Sequence, residues 1–326
     1  MGVGLVRLGH CFCVYAGTNQ YVMCAERVIG RVPRWSILEE LSPERLLGET
    51  NHSNNLVYVV RGHECPAVMM EIGRLREIAF RDAGGGTGRS MDVDEADLAE
   101  DGYMQMIVWN PYARQIVGGY RFIISTDTHP HHLSTERYFA FSERFRTHFL
   151  PHTIELGRSF IQPRYQSGRG GIFALDNLWD GMGAVVSRCS DVRYLFGKVT
   201  IYADYPTEAK QLLYAFLYKF HGVDEPLVVA RPEFAVKMDV ERYKKLFNGG
   251  NYQENLRILQ LELKSRGESI PPLIKSYINL SPAMMVFDAV RNDDFGGVEE
   301  LAILVAVGDI YPQKLERHFV QKQKVL

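Results

Sequence analysis

The feature that most limits what this chain can fold into is a pair of apolar runs, 104–109 and 115–124, with only residues 110–114 between them. A connection that short cannot hold a crossover helix, so the two runs form an antiparallel hairpin. Further β-type runs stand at 56–60, 153–161, 195–202, 284–290 and 301–307. Helical spacing alternates with them. Apolar residues recur at 68, 72, 75, 79 and 80, ending at the flexible run 84–88; 206–220 opens with Pro206 in its first turn; 251–267 closes on Gly267. A long helix is expected at roughly 175–194, after a loop at 162–171. There is no internal repeat. The pattern predicts an α/β, mixed α+β chain with a mostly antiparallel sheet flanked by helices.

Composition excludes several classes. The 326 residues are 46% hydrophobic and 23% charged, which suits a globular chain rather than a disordered or disulfide-stapled one. Lys plus Arg number 37 against 39 Asp plus Glu, so the broad basic field of a nucleic-acid binder is missing. Five cysteines, Cys11, Cys13, Cys24, Cys65 and Cys189, form no C-x-x-C pair, and reduced thiols in a cytoplasmic protein are expected. No run approaches the length of a membrane span, which leaves only peripheral membrane contact open. Residues 1–55 read as an irregular N-terminal segment. Within it 1–30 is expected to lie outside the fold, with Met23 as an alternative start.

Chemistry concentrates where charge enters apolar runs. Arg121 stands inside one, and Glu155 and Arg158 inside another. In a regular strand the last two point to opposite faces, and a β-bulge would change that. Asp94 and Asp97 lie in an acidic loop and Arg76 on the first long helix. Buried charges are costly unless paired, so such a set is a structural ion-pair network or a site. Arg121 with Asp94 reads as structural. Glu155 reads as the better catalytic residue, because a carboxylate among apolar neighbours can be tuned as a general base. The loop 163–171 carries Gln166, Gly168, Arg169, Gly170 and Gly171 before a helix, a geometry that offers backbone N–H groups to a phosphate. It is neither a Walker loop nor a dinucleotide fingerprint. His129, His131 and His132 lack ligand spacing and read as a solvated loop; no metal site is expected. Ser159 lacks a nucleophile elbow, and Cys189 reads as core.

In order, Arg76-x-x-x-Phe80, Asp94-x-x-Asp97, Gly118-Gly119-Tyr120-Arg121 and Glu155-Leu156-Gly157-Arg158-Ser159 resemble the acyl-carrier-protein-dependent branch of the GNAT-like acyltransferases. Acyl-homoserine-lactone synthases share this charged skeleton. Leu178-Trp179-Asp180-Gly181, Arg193-Tyr194-Leu195-Phe196-Gly197 and the segment from Ile270 to Tyr277 are more similar to the N-acyltransferases of ornithine-lipid and glycine-lipid synthesis, often labelled hemolysin-like. The resemblance covers about 56–310.

It implies a GNAT-like core at 56–232, with 233–326 as a C-terminal extension packed on it. It also implies transfer of a fatty acyl group, commonly 3-hydroxylated, from acyl carrier protein to the amine of an amino acid such as glycine or ornithine. No permanently bound cofactor is implied. The donor is the acyl-phosphopantetheine, expected at Gln166–Gly171, whereas Tyr165 at the first position of the glycine motif weakens the case for coenzyme A. Glu155 is then the candidate base, Arg121 and Arg158 hold the acceptor carboxylate or steady Glu155, and Arg76, Phe80, Asp94 and Asp97 complete the network. Phe139, Phe141, Phe145, Phe149 and Trp179 line an acyl tunnel or pack the core. A non-catalytic GNAT-fold binding protein and a coenzyme A-dependent small-molecule acetyltransferase remain as rival classes.

Overall fold

A computed structural model describes residues 5–8, 11–14, 25–125 and 133–320, with side chains undescribed at 5–14 and 168–172. The histidine tract, Met23 and the last six residues lie outside the described residues. The strands are β1 (Leu5–Leu8), β2 (Cys11–Val14), β3 (Leu46–Glu49), β4 (Leu56–Arg61), β5 (Met104–Asn110) and β6 (Gln115–Ile124). They continue with β7 (Phe139–Phe141), β8 (Thr153–Ile161), β9 (Tyr194–Ile201), β10 (Val228–Ala230), β11 (Met285–Asn292) and β12 (Val298–Ala306). The helices used below are α1 (Arg34–Glu40), α2 (Pro66–Asp82), α3 (Glu95–Leu98), α4 (Gly168–Val186), α5 (Thr207–His221), α6 (Val240–Lys244), α7 (Tyr252–Lys264) and α8 (Pro272–Ile278).

Eight strands form one sheet in the order β11-β12-β9-β8-β6-β5-β4-β3. Every neighbouring pair is antiparallel except β8 and β9. The 104–124 hairpin is present, with Met104 opposite Phe122. Helices cover both faces. α2 packs Ile72, Leu75 and Phe80 against Tyr58, Ile107 and Phe160. On the other face, α4 and α5 bury Leu178, Met182, Leu212 and Leu213 against Val57, Met106, Phe122 and Leu156. Each fully buried aliphatic or aromatic side chain of this kind contributes roughly 1.5–3 kcal/mol.

Two sequence boundaries move. The long helix begins at Gly168 rather than 175 and ends at Val186, so the glycine run forms its first turn instead of a preceding loop. The N-terminal segment is also less irregular than expected. β1 and β2 pair as a hairpin. The Glu26 and Ile29 amides donate to the carbonyls of Gly88 and Ser90, and β3 extends the main sheet. The residues after 25 are therefore tied to the fold, contrary to the expectation that 1–30 lies outside it. At the other end, β12 pairs with β9 over eight positions, from Glu299 opposite Ile201 to Ala306 opposite Tyr194, so the C-terminal strands complete the same sheet.

Candidate active site

The one parallel pair is short. Its register runs from Thr153 opposite Tyr194 to Leu156 opposite Gly197 and then stops. Beyond that point β8 stays bonded to β6 and β9 stays bonded to β12, so the sheet splits into a wedge. Gly119 pairs with Phe160 but Arg121 pairs with Gly157, which sets Arg158 and Ser159 together opposite Tyr120. This is a β-bulge, and Arg158 takes the left-handed conformation at φ 48°. The bulge turns Arg158 away from the alternation a regular strand would impose.

Two cavities meet in the wedge. One, of about 560 Å³, is lined mainly by apolar and aromatic groups, including Phe80, Leu156, Leu175, Leu273, Tyr277 and Phe295. The other, of about 660 Å³, is lined by polar groups including Asp94, Glu95, Arg137 and Asn292. Arg121, Ser134, Arg158 and Lys198 line both. A site with an apolar chamber, a polar chamber and cations between them suits a reaction joining a long apolar group to a small charged one.

The charged skeleton comes together as an ion-pair network. Arg76, fully buried on α2, places Nη1 3.1 Å from Asp97 Oδ2 and Nη2 2.5 Å from Gln105 Oε1. Arg121 Nη1 lies 2.7 Å from Asp94 Oδ2 and 3.4 Å from Asp97 Oδ1, with its guanidinium 4.5 Å from the Tyr103 ring centre. Asp94 caps α3, and a reciprocal bond from the Asp94 amide to the Asp97 carboxylate closes the capping box. Burial alone would raise Asp97, but the facing Arg76 and Arg121 outweigh it and hold this carboxyl well below its usual range. Arg158 Nε sits 3.1 Å from Asp92 Oδ2, and its guanidinium 4.5 Å from the Phe295 ring centre. Burial raises Asp92 despite that arginine.

Glu155 is placed differently from the sequence expectation. It is fully buried and does not line the wedge cavity. Its Oε1 accepts hydrogen bonds from the Tyr103 hydroxyl (2.8 Å), the Ser134 hydroxyl (2.6 Å) and the Thr135 amide (3.3 Å). Its Oε2 accepts from the Thr135 hydroxyl at 2.9 Å. A carboxylate so enclosed anchors residues 134–135 against the sheet, and it touches the cavities through Ser134 and Tyr103, which line them. The expected base thus stands behind the cavity wall instead of in it.

The aromatic set takes the second of its two expected roles, packing the core. Phe139, Phe141 and Phe145 pack with Phe196 and Phe287 in a separate core cluster, with Phe149 against its edge, and none lines the wedge. Trp179 lies behind the wall, 5.3 Å from the Tyr277 ring, with its indole N–H donating to Ser276 at 2.7 Å. Of the other expected site residues, Phe80, Arg121, Arg158 and Gln166 line the apolar chamber, and Gln166 donates to the Ile161 carbonyl at 2.7 Å. Gly168 opens α4, whose Ser167 N-cap makes no side-chain bond to the first turn. Arg169, Gly170 and Gly171 follow in that turn.

Sequence reasoning missed Lys198 and Glu300. Lys198 Nζ lies 2.7 Å from Glu300 Oε2 and 4.2 Å from the Tyr138 ring centre, and Asn292 Nδ2 donates to the same oxygen at 3.0 Å. The signal was available: each is a charged residue in an apolar run, but the last strand was begun at 301. Among the described residues no group of side chains has a metal-holding arrangement, and no helix is long and apolar enough to cross a membrane.

Comparison with known proteins settles the family. Residues 75–175 match the model of the acetyltransferase (GNAT) domain. A glycine N(alpha)-acyltransferase of Bacteroides thetaiotaomicron is 44% identical over 90% of this chain and 89% of its own length. The same-named protein of Phocaeicola vulgatus is 42% identical over 90% of this chain and 92% of its own. The chain belongs to this acyltransferase family. Solved acyl-homoserine lactone synthases overlap loosely. LasI covers 49% of this chain and 77% of its own at 18% identity and TM-score 0.30. MesI covers 80% and 92% at 11% identity and TM-score 0.33. The GNAT-type assignment rests on the family model and the sheet itself, and the chain is an N-acyltransferase by family.

Proposed function

We propose that the protein moves a fatty acyl group from the phosphopantetheine thioester of acyl carrier protein to the amine of glycine, forming an N-acyl amino acid at the start of aminolipid synthesis. The observation that carries this reading is the junction of the two chambers. The apolar chamber, walled by α2, α8 and the wedge, suits an acyl chain, and the polar one suits a small zwitterion. The relatives' name supports glycine as acceptor.

The chemistry follows from the wedge. Past Leu156 the β8 edge facing β9 has no ladder partner, so its backbone groups are open to the amides of a pantetheine arm and to a thioester oxygen that gains charge during attack. The first turn of α4 offers backbone N–H groups to the single phosphodiester of that arm, and Arg169 adds charge there. Arg121 and Arg158 stand where an acceptor carboxylate would sit, although both already serve acidic partners. On this reading the enzyme works in the cytoplasm, where carrier-protein thioesters are made, and touches the membrane at most peripherally through its lipid product.

The test is direct. Purified protein is given acyl carrier protein thioesters or coenzyme A thioesters, with glycine or ornithine, while thiol release and product mass are followed. Rapid N-acylglycine formation from the carrier-protein thioester is expected. Equal or faster turnover of the coenzyme A thioester removes the donor assignment, and preference for ornithine removes the acceptor assignment.

A further inference from the structure

The wedge needs a proton acceptor, because an amino acid's ammonium has no lone pair with which to attack a carbonyl. Glu155 is enclosed by four donated hydrogen bonds and lies off the cavity. Asp97 faces two arginines and lines neither chamber. Asp94 and Glu95 line the polar chamber, Asp94 bound to Arg121 at 2.7 Å, and among the described residues Glu300 is the one carboxylate that lines the apolar chamber, beside the Lys198 that lines both. It stands opposite Thr200 on β12, diagonal to Lys198, on the sheet face that also carries Arg121 and Glu155. Lys198 and Asn292 both bind its Oε2, so Oε1 is the oxygen left to take a proton.

We infer that Glu300, delivered by the C-terminal extension, is the general base that takes the acceptor's proton. The inference rests on the proposed acyl transfer to an amino acid. Glu300 accepts one proton from the ammonium, and the freed amine attacks the thioester carbonyl. The C–N bond forms and the C–S bond breaks. The departing thiolate takes the second nitrogen proton, and Glu300 returns its own to solvent. The sum is an acyl thioester plus a zwitterion giving an N-acyl amino acid, a thiol and one proton.

The surroundings fit that role. The groups facing the carboxylate are Lys198 from β9, Arg158 from the β8 bulge, Asn292 from β11 and the rings of Tyr138 and Tyr202. Burial would raise Glu300, but Lys198, Asn292 and Arg158 outweigh it and keep the group below its usual range, so it stands ionised and its bonds to Lys198 and Asn292 must loosen as it takes a proton. Burial lowers Lys198 against the pull of Glu300.

The test uses two nucleophiles. With glycine the E300Q variant should lose about 10²–10⁴-fold in kcat, the usual loss when a general base is removed. With hydroxylamine, already unprotonated at neutral pH, the same variant should keep a rate close to wild type. The deficit with glycine should narrow as pH rises and solvent deprotonates the acceptor. Because E300Q leaves Lys198 buried without its partner, the double variant K198M/E300Q serves where the single one does not fold, since it buries no unpaired charge. Parallel losses with glycine and hydroxylamine, or a wild-type rate with glycine in either variant, overturn Glu300 as base while leaving the acyl transfer intact. A wild-type enzyme that releases no thiol with glycine or ornithine overturns the reading on which the inference stands.

Discussion

Substituting Glu155 by glutamine separates an anchor from a base. In the folded protein the carboxylate accepts three bonds at Oε1 and one at Oε2. A glutamine with its carbonyl at the Oε1 position keeps the first three, and the Thr135 hydroxyl turns to accept from the amide. What is lost is the charge on the acceptor. Bonds to a charged group stabilise by about 1.5–3 kcal/mol and ordinary ones by about 0.5–1.5, so four bonds weaken by roughly 1 kcal/mol each. Relief of burying a charge returns part of that, and we expect a net loss of about 2–4 kcal/mol. At about 2 cal/mol/K of unfolding entropy per residue, a 326-residue chain carries about 0.7 kcal/mol/K, so Tm should fall by about 3–6 °C. Thermal unfolding followed by circular dichroism measures the drop. Thiol release per folded molecule should stay within about tenfold of wild type, short of the 10²–10⁴ that a missing base costs. A Tm unchanged to within about 1 °C, together with a collapse in kcat of that larger size, would show that Glu155 does the proton transfer and that its enclosure has been misread.

Three further outcomes follow from the geometry. Because Asp97 is depressed in the folded state, its contribution to stability is complete above the ordinary aspartate value of about 4 and drains away as pH falls toward the folded value; D97N should lose about 3–5 kcal/mol at neutral pH and flatten the acid limb of a Tm-against-pH curve. A Cβ at Gly183 would lie 1.8 Å from the His318 carbonyl oxygen, so G183A should push residues 315–319 off α4, cost about 1–3 kcal/mol or more, and speed C-terminal clipping in limited proteolysis; an unchanged digestion pattern counts against that contact. R169A should raise the KM for acyl carrier protein thioesters at low salt, with the gap to wild type closing as salt rises; superimposable salt series remove Arg169 from the donor site.

Much of the scaffold was legible because its signals are local. The hairpin at β5 and β6 follows from a five-residue gap, α2 from apolar residues at helical spacing, and α5 from Pro206 before its first turn. Arg76, Asp94, Asp97 and Arg121 could be grouped because charge in an apolar run demands a partner, and they do pair. The start of α4 was misplaced for an equally local reason. Three of the four residues at 168–171 are glycines, which weigh against a helix by propensity, whereas the first turn of a helix tolerates them. The partners of Glu155 were out of reach. Tyr103, Ser134 and Thr135 come from two loops, and no period in the sequence says that both close over one carboxylate.

The wedge shows why the chemistry was harder to read than the fold. A parallel register that ends after Leu156 and Gly197 leaves no mark that the sequence shows, since each strand stays paired with its other neighbour. The bulge at Arg158 is likewise set by which β8 residue is the extra one opposite Tyr120, and that is decided by pairing, not by local preference. The C-terminal strands then become part of the site instead of an appendage. β12 bonds to the free edge of β9 and brings Glu300 to Lys198 across 102 residues of chain, while the segment entering α8 sets Pro271, Pro272, Leu273 and Tyr277 into the apolar wall. A GNAT core cut at residue 232 would keep Arg76, Asp97, Arg121, Glu155 and Arg158, yet lose the one carboxylate that lines the apolar chamber among the described residues and the wall that α8 supplies. The charged skeleton lies beside the wedge, and residues that complete the walls of its apolar chamber arrive from the far end of the chain.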